Sequence, residues 1–461
     1  MPFSKKGISL LRLSLWCFVF AMISSWTTAS FADEKTDGKE VLTLSRAIDI
    51  AIANNPLLKS AEALVEASRA DTSASFSAFL PNLNLNENFE RTNNPPMVFT
   101  HKLAQQRFTS ADFAIDRLNN PSPINNWQTQ FVLTQPVFNQ GREIIGYRLS
   151  KVREQISDAE RVKLRQTICF QTEKAYYQTI LAKDNLGVLN ASVETSKAME
   201  ELSAKRAKAG LALKSDVLAA QVQLTSTERE RLRAEGDIKI AMATLNKIMG
   251  MPQDHEWKIA PDPRQATDAM SMDLDSWLET ARKNRPEIIA SRRLVEAAKL
   301  KTKGARFRFL PSVNLQGAYE SDSKDLAGSN GDSWSLMAIM SFNIFNGFGD
   351  RARLAAADAE ERRAVYQDTD VGAEVALEVR RAYFNLITAQ KQLDVVSKAA
   401  AQAEETLRIL KKRYENGLAL MVEVLSAETA LRKARLQEAE SRFDLRVAMS
   451  DLKLKAGVLE R

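Results

Sequence analysis

Apolar and polar positions recur with two different periods along this chain of 461 residues. In four short stretches the period is two. Asn82, Asn84, Asn86 and Asn88 form one face of the first, and Leu83, Leu85 and Phe89 the other, interrupted only by Glu87. Ser312 to Tyr319 repeats the pattern more loosely. Trp334, Leu336, Ala338, Met340, Phe342 and Ile344 make one apolar face, and Trp127, Phe131, Leu133 and Val137 make part of another. Alternation of this kind predicts strands at about 82–92, 126–138, 312–321 and 333–345. Elsewhere the period is helical. No proline falls between 137 and 251 or after 311, which permits long helices at about 142–208, 215–249, 350–415 and 422–456. At 1.5 Å per residue the longest would span roughly 100 Å, so each needs neighbours to pack against. Leu393, Val396, Ala400, Ala403, Leu407, Leu410 and Tyr414 recur at spacings of three and four, a coiled-coil seam.

The whole pattern is written twice. Leu64–Ala67 recurs as Leu294–Ala297, Phe79-Leu80-Pro81 as Phe309-Leu310-Pro311, and Asn84-Leu85 as Asn314-Leu315, all offset by 230. Further on, Trp127 matches Trp334, Phe138-Asn139 matches Phe345-Asn346, Lys205-Arg206 matches Lys412-Arg413, and Gly210–Leu213 matches Gly417–Leu420, all offset by 207. The offset changes once, between Glu90 and Trp127, so the first copy carries a longer loop there. The repeats are assigned to 33–251 and 272–461, joined by a linker at 252–271 that holds Pro252, Pro261 and Pro263. Residues 1–32 read as a secretory signal. Lys5, Lys6 and Arg12 precede and flank an apolar core at Leu13–Ile23, and Ser30-Phe31-Ala32 fits a cleavage site.

Composition narrows the function. Charged residues are 26% of the chain, which excludes a bundle of membrane-spanning helices. Removing the three positive charges of the signal lowers the net charge from +6 to +3, and the charges are of interspersed sign, so nothing points to nucleic acid. Two histidines and two cysteines, Cys17 and Cys169, leave no catalytic triad, metal site or disulfide framework. No cofactor motif occurs either. Gly347-Phe348-Gly349 lacks the further glycine of a phosphate-binding loop. An enzyme is therefore not expected.

Strands with one apolar and one amide-rich face, aromatic ends and a secretory signal fit a transmembrane β-barrel whose inside is wet. Four strands cannot close one, and an open edge in lipid leaves backbone groups unpaired. Two, three or four chains would supply 8, 12 or 16 strands, and periodicity does not choose among them. The competing reading is a soluble periplasmic coiled-coil adaptor or scaffold, which has no need of such strands.

The chain resembles the TolC-like family of outer-membrane efflux channels. The likeness rests on the duplicated layout, the Leu-Pro entry to each first strand and the Phe-Asn exits at Phe138-Asn139 and Phe345-Asn346. It rests also on two turn motifs, Ala209-Gly210-Leu211 running to Ser215-Asp216-Val217, and Arg413–Gly417 running to Glu423-Val424-Leu425. The resemblance implies a mainly α fold with a transmembrane β part. Long coiled-coil hairpins would form a trimeric α-helical barrel, and four strands per chain would complete a 12-stranded β-barrel. It implies a homotrimer in the outer membrane of a Gram-negative bacterium, with its helical part in the periplasm. The partners implied are a periplasmic adaptor (membrane fusion) protein, an inner-membrane transporter of the RND or ABC type, and outer-membrane lipid. The channel would be a passive duct for small molecules or polypeptides, in a tripartite efflux pump or a type I secretion system.

The resemblance also places a gate at the periplasmic helical tip. Gly210 and Gly417 would be the hairpin turns. Ser215 and Asp216 would start one returning helix and Glu423 the other. Tyr414 and Asp216 match a tyrosine–carboxylate link between neighbouring hairpins, and Glu423 an acidic constriction. Two positions depart from the family: Ala419 stands where an arginine is usual, and Ser426 where a second acid ring would fall. Trp127, Trp334, Phe89 and Tyr319 are expected in an aromatic belt. The segment 91–126 is expected to be an outward-facing loop with a short helix.

Overall fold

A computed structural model describes residues 40–261, 272–326, 328 and 330–459. The expected signal at 1–32 and the second half of the expected linker lie outside these residues. In chain order the elements are β1 (Val41–Leu42), α1 (Leu44–Asn54), α2 (Pro56–Phe76), β2 (Asn82–Thr92), α3 (Pro95–Ala104), α4 (Ile115–Asn119), β3 (Ile124–Asn139), α5 (Arg142–Lys208) and α6 (Lys214–Met249). There follow β4 (Lys258–Ile259), α7 (Leu274–Asn284), α8 (Pro286–Phe307), β5 (Ser312–Ser323), β6 (Gly331–Ser341), α9 (Gly349–Glu415) and α10 (Met421–Lys455). The fold is mainly helical with a four-stranded sheet. No helix among the described residues is long and apolar enough to cross a membrane.

The chain divides into two compact units. The first, Ser73–Tyr147 with Lys303–Arg353, is built on an antiparallel sheet of order β2-β3-β5-β6. Its register sorts the side chains cleanly. Leu85, Phe131, Tyr319 and Trp334 stand opposite one another across the four strands, as do Leu83, Leu133, Gly317 and Leu336. The other face carries Asn86, Gln130, Glu320 and Ser333 in one row. There the Asn86 amide donates to Gln130 Oε1 at 3.3 Å and Gln130 donates to Glu320. β2 and β6 each pair on one side only. The β5–β6 ladder stops at Ser312–Ser341, short of the 345 expected from the pattern. Pro311 precedes Ser312 and has no N–H to extend the ladder, so Phe342 and Ile344 leave the sheet exposed.

The long loop of the first copy is ordered structure. Pro95 and Pro96 occupy the first positions of α3, where a missing N–H costs nothing. Gln105 is fully buried and donates to Asn125 O at 2.8 Å and Asn126 Oδ1 at 2.7 Å, and Asn126 in turn donates to Asp322 at 2.7 Å. A Cβ at Gly331 would lie 1.8 Å from Ala104 O, so this close approach requires glycine. Phe99, Phe108 and Phe113 stack edge to face beside it. The Lys102 ammonium, 2.7 Å from Asp112, and the Thr109 amide hold the Asp112 carboxyl well below the usual carboxylate range.

The second unit holds two helical hairpins and two matching cores. One core packs Ala47, Ile48, Ala51 and Leu58 against Ile168, Ala175 and Leu245. The other packs Trp277, Leu278, Ala281 and Ile288 against Val375, Ala382 and Leu452. These are the same positions in the two copies, offset by 230 and by 207. Cys169 is buried in the first core and takes part in no disulfide among the described residues. The seam expected in α9 faces inward, with Ala400, Leu407 and Tyr414 buried at intervals of seven. A third cluster of Met199, Ala220, Leu407, Tyr414, Met421 and Val424 joins the hairpins near their turns.

Candidate gate at the helical tips

Each hairpin turns on a left-handed glycine, Gly210 at φ 73° and Gly417 at φ 76°. The closures are alike. Leu211 N donates to Arg206 O and Leu418 N to Arg413 O, both at 2.8 Å, while the glycine amides donate to Ala207 O and Tyr414 O at 3.0 Å. This is the double bond pattern that ends a helix on glycine. The returning helices start on Leu213 and Leu420. Leucine has no side-chain acceptor, so only the reverse half of a capping box forms. Glu423 accepts from Leu420 N at 2.8 Å, and Asp216 from Leu213 N at a long 3.4 Å. The two acids are repeat equivalents in one role. Ser215, expected to share the cap, is exposed inside the first turn. Its place is two residues too late, because a side-chain cap must precede the helix, at Leu213.

Tyr414 lies inward and is 3% exposed. Its hydroxyl has no partner among the described residues, so the chain itself forms no Tyr414–Asp216 link. Arg206, from the other hairpin, has its guanidinium carbon 5.0 Å from the centre of the Tyr414 ring and donates to Tyr414 O at 2.7 Å and Glu415 O at 2.9 Å. Ala419, where the family pattern has arginine, packs its methyl against the tip cluster. Glu423 and Ser426 are exposed. Four leucines, Leu211, Leu213, Leu418 and Leu420, are each about two-thirds exposed at the turns.

Behind the tip, a buried polar layer crosses from α10 to the first hairpin. Glu428, 2% exposed, accepts from Ser192 and from Gln223 at 2.9 Å. Arg432 lies 3.8 Å from Glu428 and donates to Thr227 at 2.9 Å. Neither Arg206 nor Glu428 was singled out by the sequence pattern. Arg206 left a signal in its recurrence as Arg413, and Glu428 as an acid within the apolar stripe Met421, Val424, Ala427.

At the sheet, the belt residues occupy two rows. Phe89 and Trp127 pair with ring centres 4.5 Å apart. Tyr319 faces Trp334 four residues along, beside Phe131 and Leu85. Between the rows runs a polar one, Glu87, Thr129, Ser321 and Asp332, in which Thr129 donates to Glu87 at 2.7 Å. The four residues expected in one belt thus lie in two rows of the sheet.

The model of the outer membrane efflux protein family matches residues 47–251 and 277–458, both copies of the repeat. The chain belongs to the outer membrane efflux protein family. Protein CyaE of Bordetella pertussis is 26% identical over 95% of this chain and 88% of its own length. The alkaline protease secretion protein AprF of Pseudomonas aeruginosa is 22% identical over 95% and 89%. Among solved structures, the outer membrane protein VceC of Vibrio cholerae superposes with a TM-score of 0.74 at 20% identity, over 90% of this chain and 96% of VceC. A membrane protein of Pseudomonas aeruginosa superposes with a TM-score of 0.77 over 90% and 93%. This family member is an outer-membrane channel protein, and the amphipathic sheet and the paired long hairpins are the fold it shares with those structures.

Proposed function

We propose that three copies of this family member close a 12-stranded barrel through their β2 and β6 edges, forming a passive duct for polypeptides. The four-stranded sheet with one apolar face, one amide face and two unpaired edges carries this reading. The apolar face would meet lipid and the amide face would line water. The preference for polypeptides over small compounds rests on AprF, named for protease secretion and alike over nearly the whole chain. The hairpin turns form the periplasmic mouth. Asp216 and Glu423 surround it with carboxylates, which favours cations and hinders anions by field alone. Ser215 sits on its rim without closing it. The exposed leucines of the turns suit docking of a periplasmic adaptor, and an inner-membrane transporter supplies the energy.

Tyr414 holds the resting mouth as a packed ring, because its buried hydroxyl finds no acceptor among the described residues. Single-channel recording in planar bilayers tests this reading. The wild type is expected to conduct weakly and to prefer cations. Glu423→Ala should reduce that preference, and Tyr414→Phe should leave the resting conductance unchanged. A protein that never inserts would return the soluble adaptor to first place. For cargo, a strain lacking the gene should lose secreted protein from the medium. Loss of drug tolerance alone, with secretion intact, would exchange polypeptides for small compounds.

A further inference from the structure

We propose that Arg206 is the staple of the tip within one chain, and that Arg413 makes the matching staple on the first hairpin of a neighbouring copy. The second half rests on the reading above that copies close into a ring. Within the chain, the Arg206 guanidinium caps the last two carbonyls of α9, at Tyr414 and Glu415. Those carbonyls lie at a helix C-terminus, which lacks intrahelical donors and carries partial negative charge. Stacking on the Tyr414 ring adds a cation–π contribution. Arg206 also covers the turn: a Cβ at Gly417 would lie 3.4 Å from its terminal nitrogen.

The duplication sets the second half. Arg413 is the repeat equivalent of Arg206. It is exposed, and the structure gives its guanidinium no partner among the described residues. The carbonyls equivalent to those of Tyr414 and Glu415 are Ala207 O and Lys208 O, at the end of α5. The first hairpin's turn is correspondingly uncovered, with nothing within 4 Å of a Cβ at Gly210. Each chain therefore presents one used and one unused arginine, and one covered and one uncovered turn. A ring of copies would match them in alternation. The two kinds of seam are unequal, since Tyr414 is replaced in the first copy by Ala207, which offers no ring to stack on. Seams between copies are then the weaker ones, and the mouth parts there first.

Hydrogen exchange on the purified oligomer tests both halves. In the wild type the turn at 209–213 should exchange faster than the turn at 416–420, after correction for intrinsic rates. Arg206→Ala should speed exchange at 416–420 about tenfold, the size of one lost charge-assisted hydrogen bond, with helix content unchanged. Arg206→Lys keeps the charge without the planar fork and should fall between. Arg413→Ala should speed exchange at 209–213, a segment about 200 residues away in its own sequence, by a smaller factor. No change at 416–420 in Arg206→Ala overturns the first half. Acceleration confined to Arg413's own turn overturns the second. Should the wild type fail to conduct, the channel reading falls while these exchange results still decide the staple.

Discussion

At the scale of single residues, burial decides what a polar group can do. Tyr414 and Asp216 share a motif position with a hydrogen-bonded latch, yet one is packed in a core and the other spends its carboxylate on a helix start. Sequence shows the residue types and not the direction in which the ring faces. Asp451 in α10 illustrates the same rule in a measurable way. Burial raises its carboxyl above the ordinary value; Lys455, Arg285 and Lys174 oppose the shift and Glu378 adds to it. An acid whose folded value is raised contributes no penalty at low pH, where it is neutral in both states. The penalty grows as pH rises through the raised value and is complete above it. Asp451→Asn should therefore raise the thermal midpoint by about 2 °C at pH 8 and leave it unchanged near pH 3. A midpoint that falls at pH 8 would mean that the neighbouring cations outweigh the burial.

At the scale of elements, the strands and long helices were legible because period two and period 3.6 differ and no proline interrupts the helices. The inserted α3 and α4 segment was less so. Its order comes from Gln105, Asn126 and Asp322, which meet only after folding. Likewise Arg206 reaches a carbonyl 208 positions away, a relation no local pattern records. The glycines that end α6 and α10, Gly250 and Gly457, are repeat equivalents at φ 70° and 73°. Each lets its helix end touch a short helix: a Cβ would lie 2.5 Å from Asn54 O at one and 2.8 Å from Asn284 C at the other. Left-handed strain alone costs alanine about 1–2 kcal/mol. Gly210→Ala, with open space around it, should cost about that much in thermal unfolding. Gly250→Ala and Gly457→Ala should cost clearly more, because backbone must move. Equal losses at all three would show that the short helices yield freely. The polar layer makes a second case. Glu428→Ala takes the acceptor from Ser192 and Gln223, while Arg432 keeps Glu230 at 3.5 Å, and should cost about 1–3 kcal/mol. Glu428→Gln keeps an acceptor for Ser192 and should cost far less; similar losses in both would assign the effect to charge rather than to hydrogen bonding.

At the scale of the whole molecule, what a closed barrel must contain limits the number of copies the proposed ring can have. Two chains give eight strands, and an eight-stranded barrel has an interior that side chains fill. The inward row of Asn86, Gln130 and Glu320 would then pack against itself and leave no duct. Three chains would give 12 strands and, in the proposed ring, a water-filled lumen, and would bring six hairpins to the proposed mouth. Four chains would also conduct, through a wider barrel with eight hairpins. Light scattering of the detergent-purified protein, corrected for bound detergent, is expected to give the mass of three chains. Unheated samples on a denaturing gel should run as that oligomer and collapse to single chains on boiling. A mass of two chains would sink the duct outright, because the sheet's polar face could not then enclose water. A mass of four would keep the duct and its edge-to-edge closure, but would require a conductance well above that of a 12-stranded pore, so mass and conductance must agree for the trimer to stand.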